Sequence, residues 1–334
     1  MMSTHTVHSQ AVEAPPFINA LEFCPFERAS NLIAIASKDG LTIESCEFSV
    51  EKEANGGYAK QISKNLVHNN VILHKLRVCD LNCLAWSPVS NIKHLPNLIV
   101  IATGTKTGVI NVYTADLKEE AVENSLEGHT DCVNHISFEP IEGQELASVS
   151  DDYSCKVWDV DSGDVIVSFP LQYPGVSVCW HPDQSGKLMA AELGGRIRFY
   201  NVHLKQAILS VDCKKHSLTS ADWCWLNHSK VGASAEMEWF LWDITKSSYP
   251  LDSQQANSGG CRKLLWSKHH EDVFLTLGQP QNTVKIYHLG HRQPILHKVH
   301  ETSMCASWHS TLPICAIAGN KAIHFYDTKS CTQF

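Results

Sequence analysis

The stretch from Glu127 to Gly163, EGHTDCVNHISFEPIEGQELASVSDDYSCKVWDVDSG, holds the side chains from which a hydrolase builds its nucleophile: His129, Ser148 and Asp152. A hydroxyl, an imidazole to take its proton and a carboxylate to orient the imidazole can together attack a carbonyl. The position of the serine speaks against that use. Ser148 falls inside a strand-like run, Glu145 to Ser150, and not on a sharp strand-to-helix elbow. Trp158 offers another purpose for the set, because a buried indole N–H is a donor that needs a partner. A hydroxyl can take that N–H, the imidazole can donate to the hydroxyl, and the carboxylate can orient the ring. The expectation is a structural hydrogen-bond network of His129, Ser148, Asp152 and Trp158, with Ser150 as the alternative hydroxyl and no catalytic residue.

Three short runs must position these groups: Cys132 to Phe138, Glu145 to Ser150, and Ser154 to Val160. Pro140-Ile141-Glu142-Gly143 and Asp151-Asp152 make the turns between them. So small an antiparallel sheet cannot bury its faces alone, so the unit must repeat. Two aromatic series show that it does. Phe23, Trp86, Phe138, Trp180, Trp223, Trp266 and Trp308 close the first strand of each unit, and from Phe138 the steps are 42, 43, 43 and 42 residues. Tyr113, Trp158, Tyr200, Trp242, Tyr287 and Tyr326 mark the third strand at the same period. The Gly128-His129 and Trp158-Asp159 dipeptides and the unit length resemble a WD40 repeat. The fold expected is all-β: a single seven-bladed WD40 β-propeller over residues 1–334. Its blades fall at about 18–66, 73–122, 127–169, 170–211, 213–253, 258–297 and 300–334. A spare N-terminal strand, Thr4 to Val12, is expected to complete the last blade, since ring closure is how a propeller protects its sheet edges.

Composition narrows the chemistry. With 27 Lys and Arg against 35 Asp and Glu, the formal charge of −8 disfavours direct nucleic-acid binding, which needs a basic surface. The N-terminus lacks the apolar core of a signal peptide, and runs such as Leu98 to Ala102 are too short to span a bilayer, so no membrane insertion is expected. The Asn227-His228-Ser229 sequon is accordingly expected to stay unused. Thirteen cysteines are an odd number, and Cys24, Cys83, Cys132, Cys179, Cys224 and Cys305 recur in or beside the opening strand of a unit. There they act as small buried hydrophobes of a reducing compartment. Cys79 with Cys83, or His288 with His291, could begin a zinc site, but no CxxC pair occurs. Gly104-Thr105-Lys106-Thr107-Gly108 sits between two strands and does not open a helix, so it is no phosphate loop. Neither Trp-Asp dipeptide has the Arg two positions after the Asp that marks ubiquitin-ligase adaptors: Asp161 and Thr245 stand there. Metals, cofactors and small-molecule substrates are therefore not expected.

Two connections exceed what a blade needs: Ser49 to Gly57 after the third strand of blade one, and Val89 to Asn97 after the first strand of blade two. Loops after first and third strands emerge on one face of a propeller, so the two can form a docking ridge with Lys93, His94, Leu95 and Pro96 as contacts.

Beyond the repeat, LEFCPFE, LNCLAWSP, PGVSVCWHP, LWDITKSSYP and HLGHRQPIL resemble the small WD40 nucleoporins of 37 kDa, over nearly the whole chain from Leu21 to about Tyr326. General propeller constraints do not require the last two segments. The resemblance implies a non-enzymatic scaffold subunit of the Y-shaped complex in the outer rings of the nuclear pore. Such a subunit docks onto a larger helical-and-propeller nucleoporin and supports pore assembly and nucleocytoplasmic transport of mRNA and protein. In animal members it follows the complex to kinetochores in mitosis. The competing class is a soluble WD40 adaptor or peptide or histone reader. A reader needs an acidic or aromatic-lined central mouth, whereas a scaffold subunit needs a side or rim patch.

Overall fold

The computed structural model describes residues 8–48, 66–78, 80–117, 120–279, 282–300 and 305–329, without the side chains of 68–70. They form seven four-stranded antiparallel sheets arranged as the blades of a β-propeller. The innermost strands, Ala20–Phe23, Leu81–Trp86, Val133–Phe138, Gly175–Trp180, Leu218–Trp223, Cys261–Trp266 and Ala306–Trp308, surround a central channel. The second strands Leu32–Ser37, Ile99–Thr105 and Val273–Gly278 are buried at every residue, and those of blades three to five at every residue but the first, which explains why they read as nearly unbroken runs of small and apolar residues. Outer strands such as Val122–Leu126 are mostly exposed.

The core is not central. Each apolar cluster lies between two neighbouring blades. Ala34, Leu41 and Ile43 of blade one pack with Leu84, Trp86 and Ile101 of blade two. Val149 and Val157 of blade three pack with Val178 and Leu188 of blade four. A fully buried Leu or Ile contributes about 1.5–3 kcal/mol, so every blade depends on both neighbours. The first aromatic series adds hydrogen bonds to this packing. Trp86, Trp180 and Trp308 each donate their indole N–H backward to a carbonyl on the preceding innermost strand, at Glu22, Ser137 and Leu265, over 2.9–3.2 Å.

The turn from second to third strand reaches a left-handed residue in all seven blades: Gly40, Gly108, Tyr153, Gly195, Glu236, Asn282 and Lys321. At Gly195 a side chain is also sterically barred, because a Cβ would lie 2.0 Å from the Lys215 carbonyl oxygen. Blade three alone places an aromatic there, with Tyr153 at φ 62° and half-exposed.

The ring is closed by Ser9–Glu13, which pairs antiparallel with Ala322–Asp327 and joins the first and last parts of the chain in blade seven. The closing strand thus runs one residue beyond the expected Val12, while Thr4 to Val7 lie outside the described residues. Gln10 from this strand reaches into blade one, where its amide accepts the Val67 N–H at 2.8 Å and donates to the Val67 carbonyl at 3.3 Å. A second difference concerns blade one. Its outer strand is Val67–Leu76, so the blade extends past residue 66 and takes in 73–76, assigned by sequence to blade two. The physical reason is length. The neighbouring strand Gly40–Phe48 has nine residues, and the outer strand follows it through two bulges, at Ile43/Glu44 and Glu47/Phe48.

Removing residues 1–13 is expected to leave Ala322–Asp327 as an unprotected edge, lowering the melting temperature and producing aggregates in size-exclusion chromatography. Gln10→Ala, which keeps the strand but loses both bonds to Val67, should cost about 1–2 kcal/mol in chemical denaturation.

Candidate functional site

The four polar residues of blade three are brought into one chain of hydrogen bonds. Trp158, in the strand Ser154–Asp159, donates its indole N–H to Ser148 Oγ at 2.8 Å. Ser148, in Glu145–Ser150, lies 2.7 Å from His129 Nε2. His129 precedes the innermost strand, and its Nδ1 lies 2.7 Å from Asp152 Oδ2. Asp152 closes the circuit, taking the Thr130 N–H on Oδ2 and the Ser154 hydroxyl on Oδ1 at 2.6 Å. The chain thus links the loop entering the blade, its second strand, the following turn and its third strand. Ser150 plays a different part, donating to the Asp131 carbonyl and receiving the Asp152 N–H. Ser154 is the member that sequence reasoning missed; its position two residues after Asp152 was the available signal.

Electrostatics sets the direction of the bonds. Burial lowers the His129 pKa and outweighs the opposing pull of Asp152, so the ring is neutral. For Asp152, burial pushes the pKa up, but hydrogen bonds from Ser154, His129 and the Thr130 N–H reverse this and hold it below the usual carboxylate range. With its proton on Nδ1 facing the carboxylate, His129 presents Nε2 as an acceptor. The Ser148 hydroxyl therefore donates to the ring, the reverse of the imidazole-to-hydroxyl bond expected from sequence, because burial removes the second ring proton. The distances are those of a catalytic triad, yet Ser148 has no exposed surface and its oxygen is already bonded to Trp158. No substrate carbonyl can reach it in this arrangement.

Other blades make do with less. In blade seven, His300 and Tyr326 take the His129 and Trp158 places and bond directly, Tyr326 Oη to His300 Nε2 at 3.0 Å. In blade five, Ala233 stands where blade three has Ser148, and among the described residues the Trp242 indole N–H has no hydrogen-bond partner.

Of the two rim loops, Ser49 to Gly57 lies outside the described residues. The other is well pinned. Asn91 pairs with Leu98 through both backbone groups, and its side chain accepts the Lys93 and His94 N–H groups. The Ile92 N–H donates to the Arg28 carbonyl of blade one. Lys93, His94, Leu95 and Pro96 all project into solvent, Leu95 with 83% of its surface exposed. On the same face the channel opens beside Phe26 and Trp225, whose ring centroids are 6.5 Å apart, and Lys268 Nζ lies 4.4 Å above the Trp225 ring. The channel is a cavity of about 250 Å³ lined in part by Glu22, His135, Asp222 and Lys263. Its depth raises Glu22 to about 7, against the pull of Lys263 and Lys268, and lowers His135 to about 4. Among the described residues, one group has metal-ligand chemistry: His270, Asp272 and His288.

The family model for the WD domain, G-beta repeat matches residues 121–159, a span that includes all four members of the blade-three network. Over 323 residues the chain is 39% identical to nucleoporin Nup37 of Homo sapiens, covering 95% of this chain and 96% of the relative. The Mus musculus protein is 38% identical over the same length, and that of Drosophila melanogaster 27% over 310 residues, covering 92% of this chain and 93% of the relative. The chain belongs to the Nup37 family of nucleoporins. As a Nup37-family member it is a WD40 nucleoporin, and its best-formed polar site links the entering loop, the second strand, the following turn and the third strand of one blade.

His129→Ala strands Ser148 and Asp152, and should lower stability by about 1–3 kcal/mol in denaturant titration; equal stability of the variant would remove the network's structural role. A second expectation concerns acid. His135, His181, His300 and His309 are each lowered to about 4, first of all by burial. Between the unperturbed 6.5 and 4, the unfolded chain takes up protons that the folded chain refuses, so these groups remove stability as pH falls. Glu22, raised to about 7, works the other way, and so does Asp222, raised by burial, but the histidines outnumber them. The melting temperature should therefore fall between pH 7 and pH 5.

Proposed function

We propose that this Nup37-family propeller is a non-enzymatic scaffold subunit of the Y-shaped outer-ring complex of the nuclear pore. In this reading it docks onto a larger helical-and-propeller nucleoporin, and through it supports pore assembly and nucleocytoplasmic transport. The observation that carries the reading is the near full-length relation to nucleoporins named Nup37 at 38–39% identity. Two physical features agree with it. A ring whose blades each depend on both neighbours is a stiff platform, and a stiff platform loses little freedom on docking. The Lys93–Pro96 tip offers an apolar anchor, Leu95, between a charged flank and a proline, on a loop already pinned by Asn91. The channel mouth is aromatic, the feature sought for a peptide or histone reader. However, the Trp225 face that would receive a partner's cation is already covered by Lys268 of the same chain.

The docking reading is tested by pull-down of the large partner nucleoporin from nuclear pore extracts. Leu95→Asp, or shortening Lys93–Pro96 to a tight turn, should weaken capture by at least about tenfold while leaving the melting temperature unchanged. A folded variant that captures the partner as well as the parent would move the docking surface to another face.

A further inference from the structure

We propose that blade six carries a reversible site for a divalent transition metal of the zinc class, formed by His270, Asp272 and His288. Folding joins these residues from two places. His270 and Asp272 flank Glu271 in the turn leading into Val273–Gly278, and His288 ends Thr283–His288 directly opposite Val273 in the ladder. The Leu289 N–H donates to the Asp272 carbonyl at 2.9 Å, which clamps the turn to the strand end. One ligand atom from each of the three residues lies within 4.8 Å of the others, and all three side chains are half-buried. Tetrahedral zinc, with bonds of about 2.0–2.1 Å, holds its donors roughly 3.3 Å apart, a contraction that side-chain torsions on a rim can supply. Two imidazoles and one carboxylate suit zinc, cobalt or nickel better than magnesium or calcium, which favour all-oxygen sites. His291 stands close enough to be a fourth donor, its ring centroid 5.4 Å from that of His288.

Two features make the site reversible. Lys230 of blade five already holds Asp272 at 2.6 Å and Glu271 at 3.4 Å, so a metal must take the carboxylate from a resident ammonium. His270 Nδ1 accepts the Asp272 N–H at 3.2 Å and His288 Nδ1 the Gly290 N–H at 3.0 Å. Each ring must give up that turn hydrogen bond before it can bind through a nitrogen lone pair. Lys230 is thus a competitor for the metal, which separates this site from incidental binding by surface histidines.

The test is calorimetric titration of the untagged, metal-free full chain with zinc chloride, read alongside the melting temperature with and without zinc. One zinc per chain is expected, with a zinc-dependent rise in melting temperature. His288→Ala and Asp272→Asn should each weaken binding by at least about tenfold and abolish the rise. Lys230→Met should bind zinc about tenfold more tightly, the order expected for removing a unit charge some 5 Å from the ion at a partly exposed site, and misfolding cannot produce that gain. The proposal is overturned by parent-like binding in either ligand variant, by a Lys230→Met variant that binds no more tightly, or by no saturable binding to the parent.

Discussion

Every blade of this protein has apolar faces that only its neighbours can cover. A four-stranded sheet standing alone would leave residues such as Ile43, Val149 or Leu275 against water. Here each cluster is shared by two blades, and that sharing is what makes a ring of separate sheets one object. The constraint has no natural end: a row of blades would always leave two faces bare. Closure is the solution, and the last shared cluster joins Phe23, Ile33 and Ile35 of blade one to Ala316, Ile323 and Phe325 of blade seven. The strand Ser9–Glu13 and the Gln10 amide secure that seam where the chain's two ends meet.

Polar interactions refine this packing without replacing it. Among the described residues, the network of blade three is the fullest, with every member bonded, while blade seven has a His–Tyr bond and the Trp242 N–H of blade five has no hydrogen-bond partner. The ring tolerates that range because the apolar clusters do not depend on it. The same reasoning explains how triad chemistry can be present without catalysis. In blade three the serine and histidine are turned inward to satisfy an indole, and burial both removes the nucleophile from solvent and keeps the imidazole neutral. The exposed chemistry lies instead in connections at the face that carries Leu95, Trp225 and His270.

Much of this was legible in the residues. A strand position that must be filled by a large side chain once per blade writes its period directly into the chain, so the Trp and Tyr series counted the blades and located the innermost and third strands. Trp86, Trp180 and Trp308 show why the first series is so regular: each is held both by packing and by a bond to the preceding blade. His129, Ser148, Asp152 and Trp158 were recognisable because their hydrogen-bonding needs match within one local stretch.

What required the tertiary structure depends on register and depth. Ser148 and Ser150 point to the same face of one strand, so which of them meets the indole is decided by the register that sets Leu146 opposite Trp158, and the direction of its bond to His129 by the burial that lowers the ring's pKa. The outer strand of blade one could not be bounded from residue types, because outer strands are half-solvated and place weak demands on side chains. His270 and Asp272 lie sixteen or more residues from His288 and share no spacing that suggests ligands. They become neighbours only because Val273 pairs with His288 across the ladder. Periodic burial is encoded locally and repeats, so it can be read along the chain. Contacts between loops are set by strand pairing, and they exist only after the sheets have formed.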